Sequence, residues 1–167
     1  MLEVTKLDAR ACALAILILA GATLAGAWTA QMLGIAPCEL CLKQRLAFYA
    51  GIPLALAAWL SCGANFRAAR VLFVLVGLIF AANAVLAFYH TGVEFKWWPG
   101  PADCTGGYKG AASMDDFKAQ LNTIRVVRCD EVSLRILGFS LANANIFISA
   151  ALAALAALGL RRASPRG

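Results

Sequence analysis

Charge is scarce in this chain. Asp, Glu, Lys and Arg together make up 14% of its 167 residues, against about 25% in an average soluble domain. Four stretches contain none of the four: Ala11 to Leu33, Leu46 to Cys62, Val71 to Tyr89 and Ile136 to Leu160. Such runs exclude an ordinary water-soluble core, because about 18 to 20 apolar residues in a helix cross a hydrocarbon layer about 30 Å thick. None alternates in the manner of a barrel strand, so helices are the form that satisfies their backbone in lipid. The second stretch is the shortest and holds Pro53. The same lack of ionisable residues argues against a transporter, whose substrate path normally carries acids or bases. The net charge is +6, yet no basic stripe is interleaved with aromatics, which excludes nucleic-acid binding.

Two further absences narrow the chemistry. A structural zinc site needs two closely spaced ligand pairs. Cys38 and Cys41 have that spacing, whereas Cys104 and Cys129 do not, which leaves His90 as a substitute ligand. No histidine follows Cys41 directly, which excludes covalent c-type haem attachment.

What the chain does contain is an all-α membrane protein, one four-helix bundle over residues 1–167. Met1 to Arg10 and the small residues Ala25-Gly26-Ala27 resemble a signal peptide. The n-region carries two acids, however, and the apolar run continues to Leu33, so an uncleaved first span is expected. Lys6 and Arg10, Arg67 and Arg70, and Arg161, Arg162 and Arg166 fall on one side by parity, and the last two groups have no acid beside them. Positive residues in short loops mark the cytoplasmic side, and long loops count little. Both termini are therefore expected in the cytoplasm, with loops 34–45 and 90–135 facing outward.

Parity places Cys38, Cys41, Cys104 and Cys129 on the oxidising face, where disulfides persist. Cys12 and Cys62 fall in or beside spans and are expected to act as small packing residues. Within the long loop, Ser113 and Asp116 fit a helix start, and Met114, Phe117, Leu121 and Ile124 follow at helical spacing. That pattern suits a short amphipathic helix on the membrane surface, or equally one folded onto its own loop. Trp97 and Trp98 suit the headgroup level. Cys104 lies between Gly100-Pro101 and Gly106-Gly107, an open turn where a second protein has access.

Three readings of the cysteines stand side by side. As staples, they hold the outward loops, and closing the Cys104 to Cys129 loop stabilises by about 3 kcal/mol in the chain-entropy account. As ligands, they bind zinc. As a redox pair, Cys38-Glu39-Leu40-Cys41 exchanges thiols and disulfides, since such motifs often hold a thiol of lowered pKa. Arg45 follows Cys41 by one helical turn and is placed to favour a Cys41 thiolate, as well as to anchor the span end. Arg128, beside Cys129, does the same for that sulfur, opposed by Asp130 and Glu131.

The chain resembles the DsbB family of bacterial inner-membrane disulfide-forming oxidases. The resemblance rests on Pro37-Cys38-Glu39-Leu40-Cys41-Leu42-Lys43-Gln44-Arg45, on Trp97-Trp98-Pro99-Gly100-Pro101 before Cys104, on Cys129-Asp130-Glu131, and on Leu137-Gly138-Phe139-Ser140-Leu141. It implies a relay. A periplasmic DsbA-like protein of thioredoxin fold would attack a Cys104–Cys129 disulfide at Cys104. Cys129 would then exchange with Cys38, and Cys41 would meet a membrane quinone, ubiquinone or menaquinone, as thiolate. Arg45 would stabilise that thiolate and the developing quinol oxygen. His90 would add a hydrogen bond or proton there, or serve as a plain interfacial residue. Structural disulfides lie below about −300 mV and DsbA near about −120 mV, so a disulfide that oxidises such a partner is no relaxed staple.

The chain departs from the family where tryptophans are expected, after Cys129 and early in the last span. It has Val132-Ser133-Leu134-Arg135 and Ala142-Asn143-Ala144-Asn145 there. Two rivals remain: a vitamin K epoxide reductase-like enzyme, whose active Cys-x-x-Cys is expected inside a late span, and a transporter or scaffold with stapled loops.

Overall fold

The computed structural model describes residues 8–101, 104, 113–115, 118, 127–131, 135–136 and 139–163. Among them run four long helices: α1 (Ala9–Met32), α2 (Glu39–Ser61), α3 (Phe66–Glu94) and α4 (Leu141–Arg162). Each begins at a side chain that accepts an otherwise unpaired backbone N–H. Asp8 accepts from Ala11 at 2.7 Å, Asn65 from Ala68 at 3.1 Å and Ser140 from Asn143 at 3.1 Å. Cys38 does the same for α2. Gly34 (φ 92°) and Gly63 (φ 110°) turn the chain after α1 and α2 through the left-handed region that glycine tolerates best.

α3 packs against α2 and α4, and α1 closes the ring by packing on the same two helices. Ile16, Phe73, Val76, Phe80 and Leu152 are fully enclosed. Glycine makes room for the aromatic rings. A Cβ on Gly51 would lie 2.6 Å from the Phe80 ring, and one on Gly159 would overlap Phe73. Small residues that admit a neighbour closely are the usual means of tight helix contact in membranes. Cys12 and Cys62 are buried in this core with free thiols, the packing role expected of them.

Ile18, Leu78, Val85 and Phe147 point away from the core and stay exposed. α1, α3 and α4 are each long and apolar enough to cross a membrane. The molecule is a membrane protein, with lipid as the natural solvent for those outward faces.

Several boundaries differ from the sequence expectation. α2 starts at Glu39, not Leu46, so it includes Glu39, Lys43 and Arg45, and most of the expected loop 34–45 is its first turns. The Cys38 cap accounts for the early start. α3 runs on through Glu94, which puts His90 inside a helix and not in a loop. α4 begins at Leu141, not Ile136. Just before it, β1 (Arg135–Ile136) pairs antiparallel with β2 (Phe139–Ser140), a small hairpin that an all-α reading omits. The amphipathic helix expected near Ser113 to Ile124 falls largely outside the described residues, although Met114, Asp115 and Lys118 are exposed.

Candidate redox site

The site is built on the start of α2. Cys38 is its N-cap, and the Cys38 sulfur accepts the Cys41 backbone N–H at 3.3 Å. The two sulfurs lie 2.9 Å apart, Cys38 buried and Cys41 half-buried. The Cys41 thiol beside it, and then His90, hold the Cys38 thiol down to about 4 against the opposing effect of burial. A thiolate at a helix N-terminus also faces the positive end of the helix dipole. Glu39 and Lys43 pair at 3.6 Å on the half-exposed side of the same turns.

His90 reaches this pair from α3. Its Nε2 is 3.6 Å from the Cys38 sulfur and 3.9 Å from Glu94 Oε1, and its Nδ1 is 3.0 Å from Gln44 Nε2. Behind Gln44 runs a buried file of polar side chains. Asn145 Nδ2 donates to Gln44 Oε1 at 2.6 Å, Ser149 Oγ to Asn145 Oδ1 at 3.1 Å, and Asn83 Nδ2 to Ser149 Oγ at 2.9 Å. Sequence reasoning passed over Gln44, Asn83, Asn145 and Ser149. For Asn83, Asn145 and Ser149 the signal is a polar residue inside an otherwise apolar stretch, where side-chain hydrogen bonds join helices; Gln44 lies outside those stretches. The donor atoms of Cys38, Cys41 and His90 all lie within 4.8 Å of one another, a set of soft and imidazole ligands.

Cys104 and Cys129 form a disulfide with Cα atoms 5.2 Å apart. Cys104, expected to be open to a second protein, is buried, as is Cys129. The cover is built at the end of α3. Trp98 donates its indole N–H to the Tyr89 carbonyl at 2.9 Å, and the two rings stack at 5.9 Å. A Cβ on Gly92 would fall within that indole, so glycine is required there. Tyr89 donates its hydroxyl to the Pro99 carbonyl at 3.2 Å, and the Trp97 N–H reaches Gly92 O at 2.8 Å. A groove of about 390 Å³ beside the disulfide is lined by Val93, Trp97, Trp98, Cys104 and Asp130, among others. Arg128 binds Asp130 through two hydrogen bonds, at 2.7 and 2.9 Å, and faces Glu131 at 3.5 Å. The guanidinium thus holds the Asp130 carboxyl below its usual range, and its own charge is met by two carboxylates.

The two cysteine pairs belong to one apolar cluster. Cys38, Leu40, Val93, Cys104 and Cys129 share one apolar cluster, with Cys41, Tyr89 and Trp98 packed around it. On the other side of Cys41 lies a cavity of about 350 Å³, mainly apolar and lined by Ile35, Pro37, Cys41, Gln44, Arg45, Phe48 and Asn145, among others. That size and lining fall in the range of small-molecule sites. Arg45 stands in its wall. Its guanidinium donates to Gln31 Oε1 at 2.6 Å and to the Ala27 carbonyl at 3.0 Å, tying α2 to α1. Of the two expected quinone-side groups, Arg45 therefore borders the cavity with Cys41, while His90 sits on Cys38.

A family model described as Disulfide bond formation protein DsbB matches residues 9–159. The chain belongs to the DsbB family. The match runs from the start of α1 nearly to the end of α4 and includes both cysteine pairs. Membership makes it a membrane oxidoreductase of disulfide-bond formation. No curated protein and no solved structure matches it.

Proposed function

We propose that this DsbB-family chain reoxidises a periplasmic, DsbA-like dithiol protein of thioredoxin fold and passes the electrons to a membrane quinone. In this reading the chain is one domain with four spans. α2 is the fourth of these, and its 23 residues extend roughly 35 Å at the usual rise per residue. Both termini lie in the cytoplasm, and the two cysteine pairs face the periplasm of a bacterial inner membrane. The observation that carries the reading is the shared cluster of Cys38, Cys104 and Cys129 beside a cavity bordered by Cys41.

The relay balances as two disulfide exchanges and one oxidation. A partner thiolate attacks Cys104, the Cys104–Cys129 bond breaks, and Cys129 leaves as thiolate. Cys129 then attacks Cys38 of a Cys38–Cys41 disulfide, and Cys41 leaves as thiolate. The partner's second thiol closes its own disulfide and releases Cys104. Cys104 attacks Cys129, restores the Cys104–Cys129 bond and expels Cys38. That step would leave Cys104–Cys129 bonded and Cys38 and Cys41 free, and the same pairing in the structure supports the reading.

The cavity fits a flat, apolar ring with polar groups at its edge, since Gln44, Arg45 and Asn145 interrupt an apolar lining. A quinone bound there supplies the acceptor for two electrons and two protons. Cys41 faces that space, Arg45 places a fixed positive charge in its wall, and Cys38 closes the disulfide again. His90 acts on the Cys38 side.

An anaerobic assay tests the proposal. A reduced thioredoxin-fold partner is mixed with the protein and a quinone, and quinone absorbance is followed. Stoichiometric loss of quinone with oxidation of the partner is expected. A protein that oxidises no partner under these conditions overturns the reading.

A further inference from the structure

We propose that Gln44, held in turn by Asn145, fixes His90 with its proton on Nε2 and so makes His90 a hydrogen-bond donor to the Cys38 sulfur. The file of hydrogen bonds behind His90 has one direction. Asn83 donates to Ser149, Ser149 to Asn145 and Asn145 to Gln44 Oε1. With its oxygen taken, Gln44 presents its NH₂ group to His90 Nδ1 at 3.0 Å. An amide N–H there needs a lone pair opposite, so Nδ1 is bare and the ring proton is on Nε2. That nitrogen faces the Cys38 sulfur at 3.6 Å.

Alternatives fail on the same geometry. A proton on Nδ1, in the other tautomer or in the imidazolium, would set donor against donor at Gln44. Turning the amide would break the 2.6 Å bond from Asn145, in a place where Gln44, His90 and Asn145 are all nine-tenths or more buried. An unpaired polar group there is expensive. The other acceptor near Nε2, Glu94 Oε1, is 3.9 Å away, beyond hydrogen-bond range, and Ser140 donates to the other oxygen of that carboxylate. A metal ion held by Cys38, Cys41 and His90 would need Nε2 bare, so the same order of donors disfavours metal at that nitrogen.

The consequence rests on reading Cys38–Cys41 as the pair that receives electrons. A donor aimed at the Cys38 sulfur favours its thiolate, and a stabilised thiolate makes the corresponding disulfide the stronger oxidant. Gln44 and Asn145 are positioning residues, acting through His90.

The chain contains one histidine, so nitrogen NMR of ¹⁵N-histidine-labelled full-length protein, carrying a histidine-free purification tag, reports on His90 alone. With Cys38 and Cys41 reduced, the expected spectrum shows Nε2 protonated and Nδ1 bare. Gln44→Glu keeps the shape but offers an acceptor, and Nδ1 is expected to gain a proton. A wild-type spectrum with the proton on Nδ1 overturns the proposal, as does a bare Nδ1 in Gln44→Glu. For Gln44→Leu, equilibration with glutathione should favour the Cys38–Cys41 disulfide by about tenfold, about 30 mV for a two-electron couple; an unchanged constant overturns the redox consequence. The NMR result is independent of turnover. Failure of the quinone assay with an Nε2–H spectrum removes the proposed function and leaves this assignment standing.

Discussion

The Cys38 sulfur caps the helix that carries Cys41, accepting its backbone N–H at 3.3 Å while touching its sulfur at 2.9 Å. Three favourable influences meet at one atom: the helix N-terminus, the Cys41 thiol and the His90 ring. Arg45, the cation one turn past Cys41, spends two hydrogen bonds on α1 instead. Together the three influences favour the thiolate form of Cys38 in the reduced pair.

In the reduced protein, the rate of Cys38 alkylation should follow a thiolate titrating near 4, far below an unperturbed thiol. Cys41→Ala removes the largest cause and should move the midpoint upward. The linked stability has a definite sign. A lowered thiol pKa stabilises the folded, reduced protein fully above the unfolded value of about 8.5, progressively less below it, and not at all under about 4. Melting of the reduced form across that window should fall with pH more steeply than melting of the Cys38–Cys41 disulfide form. Parallel pH dependences would remove the perturbed thiolate.

Gly92→Ala places a methyl group in the Trp98 indole. Overpacking of this kind costs typically about 1–3 kcal/mol, and the displaced ring also covers the Cys104–Cys129 disulfide. A lower unfolding midpoint is expected, together with faster reduction of that disulfide by a small thiol. A variant with wild-type stability and reduction rate would show that the stack does not guard the bond.

Cysteine replacements separate the two ends of the relay. Cys104→Ser should fail to trap a mixed disulfide with the soluble partner, as read on a non-reducing gel. Cys41→Ser should retain partner binding and lose quinone reduction. Full turnover without Cys41 would exclude it as the electron donor.

Arg45→Met removes the ties to Gln31 and Ala27 and takes the cation from the cavity wall. The bond to Gln31 is exposed, so the stability loss should be small, about 1 kcal/mol or less. The expected kinetic effect is a raised KM for quinone, with the Cys104–Cys129 disulfide forming normally. Unchanged quinone kinetics would leave Arg45 as a strut between α1 and α2.

Much of this molecule is legible along the chain. Uncharged runs locate three helices long enough to cross a membrane, and Cys-x-x-Cys marks the redox-like turn before any contact is known. Helix limits were less accessible. Cysteine is not among the favoured N-cap residues, so the chain pattern puts residues 34–45 in a loop before a span at Leu46, whereas α2 starts at Glu39. The sequence reading bounds the third stretch at Tyr89 and leaves His90 at its outer end, as a quinone-side group or an interfacial residue, yet α3 continues through Glu94 and buries the ring.

Composition and spacing by themselves determined the solvent of this protein, the number of its long apolar stretches and the types of reactive atom it carries. Each of those follows from neighbours in the chain. Which residues touch was decided by packing. Gln44, His90 and Asn145 come from three helices and meet because each helix is rotated to bury that face, and glycines at 51 and 159 let the aromatic rings in. A helical period states which residues share a face, and only the neighbouring helices determine where that face is aimed.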